Sequence, residues 1–273
     1  MSGAPAVPTR GQLWFGHLDG QAPRVPGLPP SVLAADAMIA HRSVRYLAVV
    51  PDSSSPFVRA RRGEVGLREG WALAHAVRDA VELDRDGVKR ALVAIVDVPS
   101  QAYGRREEML GIHLACAAAV DAYASARMAG HPVVALLVGA AMSGAFLAHG
   151  FQAHRLVALD DPGVVVHAMG REAAARVTRR TLAELEELGR ANPPMSYRIA
   201  DFDKLGLLHR LIAGVQADAP TPADVEVVRG TLAESIADIA PWEASLSRRL
   251  SASASSSGRS ASAAVRERLA AQW

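Results

Sequence analysis

The residues of this chain best placed to do chemistry are main-chain amides. Val133 to Val138 is an uninterrupted apolar run that passes through Gly139-Ala140-Ala141-Met142-Ser143-Gly144-Ala145 into what reads as a helix start. Small residues let a ligand oxygen approach the backbone closely, and amides at a helix N-terminus have no partner within the helix, where the macrodipole also favours negative charge. Such a bend suits an oxyanion. A second apolar run, Ala91 to Val96, breaks at Asp97-Val98-Pro99-Ser100-Gln101-Ala102-Tyr103-Gly104 and offers a facing loop with its own donors. Two loops of this kind point to chemistry on a carbonyl. Small residues at Gly139–Ala145 also permit close packing of a helix on a strand, and Pro99 to Gly104 also reads as an ordinary turn.

The elements that must position these loops alternate along the chain. Tyr46–Val50 reads as a strand stopped by Pro51. Glu69–Leu83 carries Ala72, Leu73, Ala76, Val77, Ala80 and Val81 on one helical face. A helix is expected from Arg106 to Ala129, closed by Gly130-His131-Pro132, because glycine suits the cap and proline cannot continue the helix. Val133–Val138 then feeds a helix from Ser143 to about Gln152. Leu156–Leu159 and Val164–His167 are short strands, followed by a helix from Glu172 to Leu188. The order predicts one α/β domain with functional loops at strand ends. It would span residues 31–240, after a Pro/Gly-rich tail at 1–30 and before a Ser/Ala-rich tail with a short helix at 241–273.

Composition narrows the classes of function. At 273 residues, 50% of them hydrophobic, the chain can bury one full core. The formal charge is +2 with arginines scattered among acids, which argues against nucleic acid as a partner. The uncharged stretch from Pro132 to Ala148 is short of the ~20 residues of a membrane-spanning helix, so no membrane is expected. A lone Cys116 in an alanine run reads as a small packed side chain, and it permits neither a disulfide within the chain nor a Cys/His metal cluster. The start of the chain has no apolar signal core, and a cytoplasmic location is expected.

Asp97-Val98-Pro99-Ser100-Gln101-Ala102-Tyr103-Gly104-Arg105-Arg106-Glu107-Glu108 resembles the D-x-P-[GS]-Q-x-x-G-x-x-E-E segment of biotin-dependent carboxyltransferases. Gly139 to Ala145 resembles their second glycine-rich loop. His167-Ala168-Met169-Gly170, Ala173 to Thr181 and Pro193-Pro194-Met195-Ser196-Tyr197 are more specific, and are similar to the gamma subunit of biotin-independent malonate decarboxylase. The resemblance covers roughly residues 10 to 215. It implies a crotonase-like spiral of repeated strand–strand–helix units. It further implies a crotonase-like beta subunit as heterodimer partner, an alpha acyltransferase and a small acyl-carrier delta subunit. The malonyl thioester would ride on a phosphoribosyl-dephospho-coenzyme A arm of that carrier, with no biotin, and no cofactor or metal bound by this chain.

Loss of carbon dioxide from a malonyl thioester leaves an electron pair that flows into the thioester carbonyl, so fixed donors at the developing enolate oxygen lower the barrier. By the resemblance, the Gly144 N–H is the first candidate, with Ser143 and Met142 beside it. Gly139, Ala140, Ala141, Pro99, Ser100, Gln101, Tyr103 and Gly104 would line the substrate. The leaving carboxylate belongs in an apolar pocket, for which Ala140, Ala141 and Met142 are suited. Tyr103, His149 and His167 are candidate proton donors, though each histidine also fits a structural role. Arg59, Arg61 and Arg62 suit phosphates or a solvated loop, and Arg176, Arg179 and Arg180 a partner contact or a polar face. Two other readings stand beside this one. Gly139–Ser143 is similar to the nucleophile loop of Clp-type serine peptidases, with His167 as base and Asp201 or Asp203 as acid. Alternatively, the chain is a non-catalytic scaffold subunit.

Overall fold

The computed structural model describes residues 7–249 and 259–273. Seven strands form one sheet: β1 (Val32–Ile39), β2 (Arg42–Val49), β3 (Ala91–Val98), β4 (Val133–Met142), β5 (Arg155–Leu159), β6 (Val165–His167) and β7 (Arg210–Ile212). The order is β1-β2-β3-β4-β5-β7, with β6 paired to β4. The β1–β2 hairpin is antiparallel and every other pair is parallel. β3 and β5 are near-continuous apolar runs because both of their faces are covered, as parallel sheets require. Helices α2 (Leu67–Leu83) and α4 (Ile112–Met128) pack together over the sheet, and α9 (Pro222–Ala237) touches β4 and β5. Strand–strand–helix units appear as β1–β2–α2 and as β5–β6–α6, where α6 is Arg171–Thr178.

Where the structure departs from the sequence reading, the cause is local. The expected tail at 1–30 contains helix α1 (Arg10–Leu18), capped by Thr9 and Gln12, with Trp14, Phe15 and Leu18 at 0% exposure. Its short apolar stripe, set among Pro and Gly, is anchored from afar: Trp14 donates to Ala217 O, and the Gly11 N–H donates to Asp97. The expected helix 106–129 is two, α3 (Arg105–Met109) and α4, because Gly111 turns left-handed at φ +81°. The expected helix 172–188 also divides, into α6 and α7 (Leu182–Ala191), where Arg179 adopts φ +55° and Thr181 starts a new capping box. The helix expected to reach Gln152 is α5 (Ser143–Ala148). Two further short helices are α8 (Ile199–Asp203) and, near the C-terminus, α10 (Ser260–Ala270). Most of the Ser/Ala-rich stretch, residues 250–258, and residues 1–6 of the N-terminal segment lie outside the described residues.

β4 decides where the two loops meet. Its first half pairs with β5 (Val134↔Arg155 to Leu137↔Ala158) and its last three residues with β6 (Ala140↔Val165, Ala141↔Val166, Met142↔His167). On its other side the register with β3 shifts between Val96↔Leu137 and Val98↔Ala141. The ladder is irregular there, and the Asp97 carboxylate accepts from Ala140 N–H at 3.1 Å and from Gly11 N–H at 3.0 Å. Gly139 is required because a Cβ there would lie 2.1 Å from Asp97 Oδ1.

Candidate functional site

β4 ends in a sharp bend. Met142 is extended, and Ser143 then adopts φ +57°, a left-handed conformation that disfavours a residue with a Cβ by about 1–2 kcal/mol. Strain of this kind persists only where the surroundings enforce it. Here β3, paired as far as Ala141, and β6, paired as far as Met142, clamp the strand from its two sides. Past the bend, the Gly144 N–H donates to Gln101 Oε1 at 2.8 Å. Gln101 comes from the loop after β3, held by a bridge in which Val65 N donates to Ser100 O and Ala102 N to Val65 O. The two loops picked out in the sequence therefore touch through two hydrogen bonds, Ala140 N–H to Asp97 within the sheet and Gly144 N–H to Gln101 past the bend.

Ser143 and Gly144 open onto a groove of about 510 Å³. Phe146, Leu147, Phe151, Val166, Met195 and Leu205 are among its walls, and among the described residues no Asp, Glu, Lys or Arg lines it. His167 stands on its edge. Its ring stacks on Tyr197 at 4.0 Å between centroids and 16° between planes. Its Nδ1 lies against the Met169 backbone, 3.0 Å from O and 3.1 Å from N. Partial burial holds the imidazole below the ordinary histidine range. Tyr197 is fixed in turn by donating from its hydroxyl to Met169 O at 2.8 Å. An apolar groove with one amide donor and one imidazole can hold a neutral acyl chain, receive a developing oxyanion, and strip water from a carboxylate.

A family profile described as malonate decarboxylase gamma subunit matches residues 60–273. The chain belongs to that family. Its backbone superimposes on the chain of a Pseudomonas malonate decarboxylase hetero-tetramer crystallised with coenzyme A, at TM-score 0.91 and 56% identity over 97% of this chain and 99% of that one. The Pseudomonas MdcD-MdcE hetero-dimer gives TM-score 0.89, again at 56% identity, over 97% and 100%. A malonyl-S-ACP:biotin-protein carboxyltransferase of Malonomonas rubra is 37% identical over 157 residues, 56% of this chain and 54% of that protein, so the chain spans about half that relative's length. The transcarboxylase 12S subunit, at 24% identity and TM-score 0.58 over 76% of this chain and 36% of that one, shares the fold. The fold is thus the crotonase-type architecture of the carboxyltransferases.

Within this gamma-subunit fold the expected site residues separate into two groups. Ser143 and Gly144 face the groove, Gln101 reaches Gly144, and His167 is brought beside the bend by the Met142↔His167 pairing. Gly139, Ala140 and Ala141 instead lie within β4. Gly139 packs against Asp97, the Ala140 N–H is occupied by Asp97, and Ala141 is buried opposite Val166. They set the bend's position and are not among the groove's lining. Met142 is buried as the N-cap of α5. Pro99 and Ser100 hold the loop, while Tyr103 is 47% exposed under the Arg59 guanidinium, 4.5 Å from its ring centroid. Gly104 gives room to the Glu107 carboxylate, 2.7 Å from where its Cβ would be.

Two candidate roles fall away, and the arginine cluster finds its partners. His149 is not a proton donor to a ligand: it is wholly buried, with Nδ1 3.1 Å from the Tyr123 hydroxyl and Nε2 3.0 Å from Ile95 O, and burial pushes its pKa down to about 4. The peptidase triad does not assemble. His167 is bonded to the Met169 backbone rather than to Ser143 or an acid, Asp201 is committed to Ser196 and Lys204, and Asp203 lies where burial and Asp160 push its carboxyl upward. The Arg59–Arg62 cluster is largely internally matched, with Arg59 and Arg62 on Glu64 and Arg61 on Ser55 O. Sequence reasoning missed Asp97 as the brace of the bend, and Phe146, Phe151 and Leu205 as walls. The Pro-Pro-Met segment was the one available signal for the groove's far side.

Proposed function

We propose that this chain works as the gamma subunit of a malonate decarboxylase complex. In this reading it pairs with a second crotonase-fold subunit, and together they convert a malonyl thioester to an acetyl thioester and carbon dioxide. The thioester arrives on the phosphoribosyl-dephospho-coenzyme A arm of a small carrier subunit, loaded by an acyltransferase subunit, without biotin. The observation that carries the reading is the strained bend at Ser143, which sets Gly144 on the wall of an uncharged groove with its N–H held by the exchangeable side-chain oxygen of Gln101.

As the C–C bond to the carboxylate breaks, its electron pair enters the thioester carbonyl. The oxygen gains charge, and the Gly144 N–H donates to it in place of Gln101 Oε1. The groove walls keep water from the carboxylate, and because no cation there holds that carboxylate, its ground state is not stabilised against departure. His167, whose imidazole is the ionisable group of the groove lining, is the candidate to return a proton to the enolate carbon.

The test is decarboxylation by the reconstituted complex carrying Gly144→Pro, which removes the N–H. Among the described residues its hydrogen-bond partner is Gln101, and an amide in the first turn of α5 has no partner within the helix, so no helix bond is lost. The rate should fall about 100- to 1000-fold with the hetero-oligomer still formed. An unchanged rate would assign the chain a scaffold role instead.

A further inference from the structure

Two guanidiniums beside Phe151 and Gln152 have no carboxylate partner among the described residues. Arg127, near the end of α4, donates Nη1 to Ala244 O at 3.0 Å and places Nη2 3.5 Å from Gln152 Oε1, but its Nε is buried without a partner. Arg249 lies 4.8 Å from the Phe151 ring centroid, and its Nη1 is likewise buried and unpaired. Their neighbours are matched. Arg155 is held at 2.7 Å by both Asp238 and Glu243, and Arg248 draws on the same two acids at 3.1 and 3.6 Å. Arg155 and Arg248 thus take up the two carboxylates, leaving the charges of Arg127 and Arg249 in excess. Residues 250–258, which follow Arg249 directly, contain no Asp or Glu, so the adjoining chain supplies no counter-charge. A cavity of about 270 Å³ opens at this point, lined by Arg155, Arg248, Arg249, His154 and His209.

We propose that Arg249, with the Arg155 and Arg248 guanidiniums that line this cavity, forms a binding site for a phosphoryl dianion, to which the nearby Arg127 adds positive charge. Buried polar groups without partners are rare, and two on neighbouring cations mark a local surplus of unmatched donors. The charge selects the ligand class: a phosphate monoester carries about −1.5 to −2 near neutral pH, which matches the local excess, whereas one carboxylate would neutralise half of it. Guanidinium forks also donate to phosphate oxygens in pairs, and the Phe151 ring, its centroid 4.8 Å from the Arg249 guanidinium carbon, holds one fork in place. Burial and repulsion from Arg127 and Arg155 already draw the Arg249 pKa down to about 10, and a bound dianion would reverse that.

The test is titration of the full-length chain with inorganic phosphate, followed by calorimetry and by thermal unfolding, with acetate at equal ionic strength as comparison. Phosphate should bind and raise the midpoint, and Arg249→Gln should weaken binding about tenfold or more, as loss of a charge-assisted bond requires. In phosphate-free buffer Arg249→Gln should melt no lower than wild type, because it removes a repelling charge. An absent phosphate response, an equal response to acetate, or an undiminished response in Arg249→Gln would each overturn the assignment.

Discussion

The side-chain oxygen of Gln101 accepts the Gly144 N–H at 2.8 Å, so an amide from the loop after β3 rests on the donor presented by the bend after β4. An oxygen from the chain itself thus sits where the enolate oxygen is proposed to form. Substrate and Gln101 then compete for one N–H, and the outcome of that competition is measurable.

Gln101→Glu would place a charged oxygen on the Gly144 N–H, and a charge-assisted bond is roughly twice as strong as a neutral one. The expected result is a KM raised about tenfold with a smaller change in kcat, while Gln101→Ala leaves KM equal or lower. Steady-state kinetics of the reconstituted complex on a malonyl thioester would read both. A kcat collapse in Gln101→Ala would instead make the side chain a direct participant.

Ser143→Ala should keep activity within about tenfold, because the bend uses its backbone and not its hydroxyl. The wild-type chain should not be labelled by a fluorophosphonate at Ser143, which has no hydrogen-bonded base among the described residues. Labelling, or loss of nearly all turnover, would restore a nucleophilic role.

Gly139→Ala forces a Cβ to 2.1 Å from Asp97 Oδ1. Overpacking of this kind typically costs ~1–3 kcal/mol. Asp97→Ala leaves the N–H groups of Gly11 and Ala140 unpaired, at a further cost of about 1–3 kcal/mol each. The two changes share one contact, so the double variant should be clearly less destabilised than the sum of the singles in urea unfolding. Strict additivity would dismiss Asp97 as the brace of the bend.

His149 titrates near 4 in the folded chain because it is fully buried, against about 6.5 when unfolded. Between those values the unfolded chain binds the extra proton, so stability is whole above about pH 6.5 and falls as the pH drops toward 4. For this one group the loss approaches ~3 kcal/mol. His154, also pushed down to about 4 by burial, adds to the same window. His149→Gln should flatten the dependence of unfolding free energy on pH by about one proton, even if it lowers the plateau. Parallel curves for the variant and wild type would contradict the burial argument.

Much of the architecture was legible in the residues themselves. The apolar runs of β3, β4 and β5, the helical face of α2 and the glycine-rich bend are local patterns, and backbone periodicity fixes their type without reference to the rest of the chain. The bend on which the proposed chemistry rests was legible too, since small residues at a strand end mark it. What the sequence could not decide is which of those small residues faces a ligand. Gly139, Ala140 and Ala141 look like Gly144 in one dimension, but the Asp97 carboxylate and the β6 pairing turn them into scaffold and leave Ser143 and Gly144 at the groove. Likewise, His149 and His167 are both histidines near the bend's helix or strand, and only packing separates them. One is sealed between Tyr123 and Ile95 O, and the other is brought to the groove by a strand pairing from 25 residues away (Met142↔His167). The α1 helix, set in a stretch rich in Pro and Gly, shows the same limit. Its burial depends on contacts with Asp97 and Ala217, far along the chain, and long-range contacts leave no periodic trace in the segment that makes them.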